Sequence, residues 1–142
     1  MTQANPMTVE SAEAALARLT AHDRGVLTDL VCRVDKAASR TAAAARSPKA
    51  PVLDEVVRFL VDRHLLLTHF NWGGWDEGQQ VIQRRDRAVL ATCTAQQCLQ
   101  YLTLLVRADR FTEGTLASAF EAGLMQALLH RLHQHTYPHA AR

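Results

Sequence analysis

Four charged residues that could do chemistry crowd one short stretch of the chain. They are Arg107, Asp109, Arg110 and Glu113. Two guanidiniums and two carboxylates this close together could bind an anion or assist acid–base chemistry. They could equally form a corner between two helices, in which the carboxylates accept hydrogen bonds from backbone N–H groups and pair with the arginines. We favour the corner, because charged residues that frame a capping turn usually stabilise that turn.

The second candidate is the segment Phe70–Trp75, which holds both tryptophans of the chain and two adjacent glycines. Helical periodicity stops there, so the pattern predicts a turn in which Asn71 bonds backbone amides. Exposed, the rings would anchor a protein partner or stack on nucleic-acid bases; buried, they would lock the turn onto the core, which is the interpretation we favour. The partner-binding candidates are therefore Phe70, Asn71, Trp72, Trp75, Arg107, Asp109, Arg110 and Glu113.

Histidine and cysteine do not form a metal-binding pattern in this sequence. His130 and His133 share a helix face, but no carboxylate or cysteine completes a site. The cysteines are Cys32, Cys93 and Cys98, an odd number without a CxxC pair, which argues against disulfides and zinc. We expect reduced thiols packed in the core, no metal and no cofactor.

The motifs of the common enzyme classes are absent as well. The sequence has no nucleophile elbow, phosphate-binding loop, dinucleotide fingerprint, HExxH motif or EF-hand loop. We therefore assign no catalytic residue and expect a protein that is not an enzyme. The enzymatic alternative would use Asp109 or Glu113 together with His64 or His69.

The charge balance is nearly even, since 16 basic residues face 14 acidic ones and the signs are interspersed. This bias is too weak to indicate nucleic acid or an anionic membrane surface. No apolar run approaches the ~18–20 residues of a membrane span, and the N-terminus lacks a signal-peptide pattern, so we expect a cytoplasmic protein. A nucleic-acid-binding alternative would combine the aromatic residues with Arg40, Arg46, Arg84, Arg85 and Arg87.

The elements that must position these residues are helices. Apolar residues recur at helical spacing and no segment shows the alternation of a strand. At 142 residues and 48% hydrophobic content, the chain predicts a single compact all-α domain of about six or seven helices. It divides into residues 1–50, which hold N-terminal helices and a basic, alanine-rich linker, a core helical domain over 51–134 and a flexible tail over 135–142. Residues 36–50 could instead be a frayed, alanine-rich extension of the second helix, but we favour the linker.

Local sequence signals predict where helices begin and end on either side of the candidate site residues. A helix that begins at Pro51 is expected to continue through Leu65–Leu67, which is apolar all round and should be buried. A capping box of Thr94 and Gln97 predicts the start of the helix that leads into the charged stretch.

A second start signal follows the charged stretch. With Thr112 as the N-cap, Phe111 and Leu116 have the spacing of a hydrophobic staple. Gly123 predicts a break before the last helix.

The block FNWGGWDEG, followed by TLLVRADRFTEGTLASAFEAGLMQALLHRL, resembles a bacterial family catalogued only as a domain of unknown function, number six-five-zero-eight. The similarity covers residues 51–134. It rests on Phe70, Asn71, Trp72, Trp75, Arg107, Asp109, Arg110, Phe111, Glu113, Gly114, Leu116 and Gly123.

The resemblance implies no activity, although members look like small standalone bacterial proteins, some of them carried on mobile elements. We therefore expect an α-helical interaction or accessory protein, which a mobile element could encode as an inhibitor that binds a protein partner. Its partner is unidentified, and homo-oligomerisation stays open.

Overall fold

The computed structural model describes residues 9–44, 51–67 and 70–136. Within these residues the chain is all-α, as predicted, and contains no β-strand. Eight α-helices are present where six or seven were expected, because a helix of five residues such as α5 is too short to show periodicity. They are α1 (Val9–Ala17), α2 (Ala21–Ala44), α3 (Pro51–Asp62), α4 (Asp76–Arg84), α5 (Arg87–Ala91), α6 (Ala95–Phe111), α7 (Thr115–Glu121) and α8 (Leu124–Thr136).

Helix α6 is the centre of the fold. It packs against α1, α7, α8 and the 3₁₀ turn Trp72–Gly74, while α2 packs on α3 and α8. Its start is the predicted capping box, in which Thr94 and Gln97 exchange side-chain and backbone hydrogen bonds of 3.1 Å. The side chains of Leu99, Leu102 and Leu105 are completely buried. This central position means that the charged end of α6 is carried by the most buried element described.

The N-terminal helices are part of the same core. Thr20 and Asp23 form a reciprocal cap at the start of α2, with two hydrogen bonds of 3.0 Å. Asp23 also accepts from Arg63 Nε at 2.7 Å, which ties the start of α2 to the end of α3. The hydrogen bond from the Thr20 amide, with help from Arg63, lowers the pKa of the Asp23 carboxyl. The first two helices are therefore fixed to the rest of the domain.

The predicted linker is wrong over residues 36–44. Helix α2 continues through this stretch to Ala44, because alanine has the highest helix propensity and no proline or glycine interrupts the run. Residues 45–50 lie outside the described residues. At the other end of the chain α8 reaches Thr136, so residues 135 and 136 are helical, and the remaining tail lies outside the described part of the chain.

The expected extension of α3 through Leu65–Leu67 is also wrong. The helix ends at Asp62, and His64 adopts a left-handed conformation with a φ of 57°. The amide of Leu65 then bonds the Leu60 carbonyl at 2.9 Å, the arrangement of a Schellman ending. Leu65 and Leu67 are buried beyond the helix rather than within it. The turn therefore carries the chain back towards α6.

The cysteines behave differently from one another. All three are free thiols, and Cys93 and Cys98 are buried as expected. Cys32 is exposed, so its predicted place in the core is wrong. It follows the buried Val31 on α2 but lies on the solvent side of that helix.

None of the helices in the described ranges combines the length and the apolar character that crossing a bilayer requires. This finding agrees with the lack of a long apolar run in the sequence.

Candidate functional site

The aromatic segment forms a rigid 3₁₀ turn on the surface of the core. Asn71 Oδ1 accepts a hydrogen bond from the Gly74 amide at 3.2 Å, the contact expected from the sequence. Gln79 of α4 donates to the carbonyls of Trp72 and Gly73, each at 3.0 Å. Both ends of the turn are therefore held by side-chain hydrogen bonds.

Trp75 faces inward and serves the fold. Its ring lies 4.8 Å from the buried Tyr101 ring and 5.4 Å, edge to face, from Phe70. A Cβ atom added to Gly78 would lie 2.2 Å from the Trp75 ring, so the indole packs directly on the backbone of α4. Burial raises the pKa of the Tyr101 hydroxyl beside it. This tryptophan is half-buried and packed against the core, neither fully exposed nor fully buried.

Trp72 is half-buried against the core and meets Phe111. The two ring centroids are 5.9 Å apart, and Phe111 is 80% exposed. The predicted staple is wrong, because Phe111 belongs to the last turn of α6 and Thr112 caps that helix, its amide bonding the Ala108 carbonyl at 2.8 Å. Within the described residues, the other exposed large apolar side chains are Val61 and Val89, which are 46% and 38% exposed. We call Trp72 and Phe111 the aromatic pair.

Asp109 shows that the charged stretch is a helix corner. Its Oδ1 atom accepts from the amides of Gly114, at 3.1 Å, and Leu116, at 3.0 Å, and so holds the start of α7. Gly114 has a φ of 103°, which allows the chain to turn between the two helices. Glu113 is exposed. In the described part of the chain no ion pair joins either carboxylate to Arg107 or Arg110, so the expected pairing with arginine is wrong.

The two arginines of the corner instead line a groove between α1, residues 64–67 and α6. The groove has a volume of about 530 Å³ and is also lined by Arg18 and His64. Asp109 lines a neighbouring groove of about 430 Å³, and Arg110 lines both. The place of Arg18 in this groove was not predicted from the sequence, because no local motif connects α1 to α6.

The positions of these residues argue against the enzymatic alternative. His64 and Asp109 line different grooves, and Asp109 is engaged by two backbone amides. His69 lies outside the described residues. The residues of that alternative are thus not assembled as a single site in the part of the chain that is described.

The nucleic-acid candidates are only partly assembled. Arg84, Arg85 and Arg87 are exposed around the junction of α4 and α5. Arg85 ends α4 in a left-handed conformation, with a φ of 55°, and Arg87 packs over Gly123. Arg40 lies on α2, and Arg46 lies outside the described residues.

Histidines near the C-terminus join helices rather than each other. His130 Nε2 lies 2.9 Å from Asp35 Oδ2, and His133 Nε2 lies 2.8 Å from Thr28 Oγ1, so both connect α8 to α2. The described residues contain no group of three or more histidine, cysteine or acidic side chains that could hold a metal ion.

The helix break predicted at Gly123 is confirmed. Gly123 has a φ of 84° and separates α7 from α8. A side chain there would be strained, and its Cβ would lie 2.9 Å from Arg87 Cδ.

Over the described residues, fold and site together define a small all-helical domain in which the exposed Phe111 ring meets the half-buried Trp72 and two neighbouring arginines line a groove. Residues 13–136 match the model of a family described as a family of unknown function, DUF6508, and the chain belongs to that family. The match begins in α1, so it extends beyond the residues 51–134 on which the resemblance rests. No curated protein and no solved structure matches the chain.

Proposed function

We propose that this protein is a non-enzymatic interaction module that binds a protein partner through the aromatic pair. The observation that carries the proposal is the 80% exposure of Phe111. Burying a phenylalanine side chain contributes about 1.5–3 kcal/mol, and a partner that covered Phe111 would gain that free energy. Aromatic residues, phenylalanine among them, are enriched at the cores of protein interfaces, where a few residues carry most of the binding energy.

The surroundings of the pair support this role because they are rigid. Trp72 belongs to a turn held by Asn71 and Gln79, and Phe111 lies on the last turn of the central helix. Ordering a mobile side chain on binding costs roughly 0.5–1.5 kcal/mol, and a pair that is already positioned avoids much of this cost.

Arg110 precedes Phe111 directly, Arg107 lies four positions before it, and both would form the polar rim of such an interface. Arginine is enriched in protein interfaces, where its planar group can bind carboxylates of the partner. The narrower form of this proposal is an inhibitor encoded on a mobile element, which acts by binding a protein partner. Identification of the captured partner would decide whether the protein acts as an inhibitor.

The test is a pull-down from a lysate of the native host with the tagged protein, run with and without nuclease. We expect a stoichiometric protein in both conditions, with capture reduced at least about tenfold in Phe111→Ala. Val89→Ala is the matched control, because it removes another exposed apolar side chain, 38% exposed, from a different surface. Circular dichroism should show both variants folded.

Two outcomes would contradict the proposal. Undiminished capture by Phe111→Ala would show that the aromatic pair is not the anchor. Capture that disappears with nuclease would favour the nucleic-acid alternative, and Arg84, Arg85 and Arg87 would then be the residues to replace.

A further inference from the structure

The groove between α1, residues 64–67 and α6 has features that the aromatic pair does not explain. Its volume of about 530 Å³ lies in the range of about 300–1,000 Å³ typical of small-molecule sites. Its floor is apolar, and the alanines of α1 leave the space open because their side chains are short. The apolar lining residues are Ala12, Ala14, Ala15, Val61, Leu66, Leu67 and Leu99.

The rim of the groove is cationic. Arg18, Arg107 and Arg110 line it together with His64, and no carboxylate is found among its described lining residues. The neighbouring groove, by contrast, is lined by three aspartates as well as two arginines. The positive rim therefore distinguishes this groove from its neighbour.

The three guanidiniums of the rim also lack partners. Within the described residues, no hydrogen bond or ion pair engages the side chain of Arg18, Arg107 or Arg110. By contrast, Arg33 pairs with two carboxylates and Arg63 with one. Three unengaged guanidiniums around one apolar groove are complementary to an anion.

We infer that this groove binds a small organic anion with an apolar body, the carboxylate lying between Arg107 and Arg110 and the body on the apolar floor. The planar fork of a guanidinium matches a carboxylate and can bind it through two parallel hydrogen bonds. Arg107 is half-buried, so its charge is less screened than that of a fully exposed side chain. This inference goes beyond the proposed function and does not depend on it.

The experiment is isothermal titration calorimetry of the full chain with decanoate, compared with decyltrimethylammonium, which has the same alkyl chain and the opposite charge. Decanoate should bind at least about tenfold more tightly, and its affinity should fall with added salt because exposed charges are screened. In Arg107→Gln/Arg110→Gln the decanoate affinity should fall by about tenfold or more. The control Arg58→Gln/Arg84→Gln removes the same net charge outside this groove and should stay within about twofold of the parent.

A second variant tests the apolar part of the site. Ala14 is exposed and lines the groove, so Ala14→Phe should occlude it while circular dichroism shows an unchanged fold. Equal affinity for the two alkyl ions, equal losses in the two double variants, or no binding of decanoate at millimolar concentration would overturn the inference. Phe111→Ala should leave decanoate binding unchanged, so failure of this site and failure of the protein interface can be told apart.

Discussion

Replacing Asp109 tests whether the charged corner serves the fold. Its Oδ1 atom accepts two backbone hydrogen bonds, from the exposed amide of Gly114 and the part-buried amide of Leu116. Asp109→Ala removes both acceptors and leaves the start of α7 without a side-chain cap. The free energy of unfolding should therefore fall.

The size of the stability loss depends on how exposed to water each of the two hydrogen bonds of Asp109 is. Loss of a capping side chain costs about 0.5–2 kcal/mol, and hydrogen bonds to charged groups contribute about 1.5–3 kcal/mol when protected from water. Because one of the two bonds is exposed, we expect a total loss of about 2 kcal/mol. Asp109→Asn keeps an acceptor oxygen without the charge and should cost about 1 kcal/mol, since neutral hydrogen bonds are roughly half as strong.

The assay is urea unfolding followed by circular dichroism, supported by thermal melts. A loss of 2 kcal/mol should lower Tm by roughly 4–8 °C for a chain of this size. Glu113→Ala is the matched control, because Glu113 is an exposed carboxylate on the same corner and should change stability by less than about 0.5 kcal/mol. A cost below about 0.5 kcal/mol for Asp109→Ala would refute the assignment of Asp109 as the cap of α7.

The remaining predictions concern the packing of α4 and the response to pH. Gly78→Ala should lower the free energy of unfolding by about 1–2 kcal/mol in urea and shift tryptophan fluorescence, because the new Cβ atom displaces Trp75. The new Cβ atom of Gly25→Ala meets no atom within 4 Å, so this variant should instead raise the free energy of unfolding by about 0.5–1 kcal/mol. Burial, together with the nearby His130, lowers the pKa of His133 in the folded protein. Below about pH 6.5 the unfolded chain therefore binds more protons at this residue than the folded protein does, and the free energy of unfolding should fall as pH decreases from 7.5 to 5.5. His133→Gln should flatten that slope in melts at fixed pH, and an unchanged slope would show that other groups cause it.

Features governed by local chemistry were predictable from the sequence. Thr94 and Gln97 lie three residues apart and satisfy each other's backbone amides, so their capping box formed where it was expected. Gly123 marks a helix break because its φ of 84° suits glycine. The all-α fold follows in the same way from the spacing of apolar residues along most of the chain.

Features that depend on competition between two local signals were not predictable. Thr112 could have capped the start of α7, but α6 continues through Phe111 and the side chain of Asp109 reaches the α7 amides instead. The ending of α3 was missed for a related reason: a left-handed histidine at position 64 is uncommon, and no glycine signals it.

The groove was missed because it exists only in three dimensions. Arg18 and Arg107 are 89 positions apart in the sequence, and only the packing of α1 on α6 makes them line the same space. The aromatic segment was predictable as a turn, whereas the contacts of Trp72 with Phe111 and of Trp75 with Tyr101 depend on how the turn packs on α6.

The last turn of α6 carries Arg107, Arg110 and Phe111, and Asp109 joins that same turn to α7. One stretch of five residues thus contributes to the groove, to the aromatic pair and to the junction between helices. A substitution of Arg107, Asp109 or Arg110 that adapts this turn to a new partner would also alter the groove or the stability of α7, whereas Phe111 can change without affecting either. Arg18 takes part in the groove alone, and ligand preference could therefore diversify through α1 while the interaction surface stays constant.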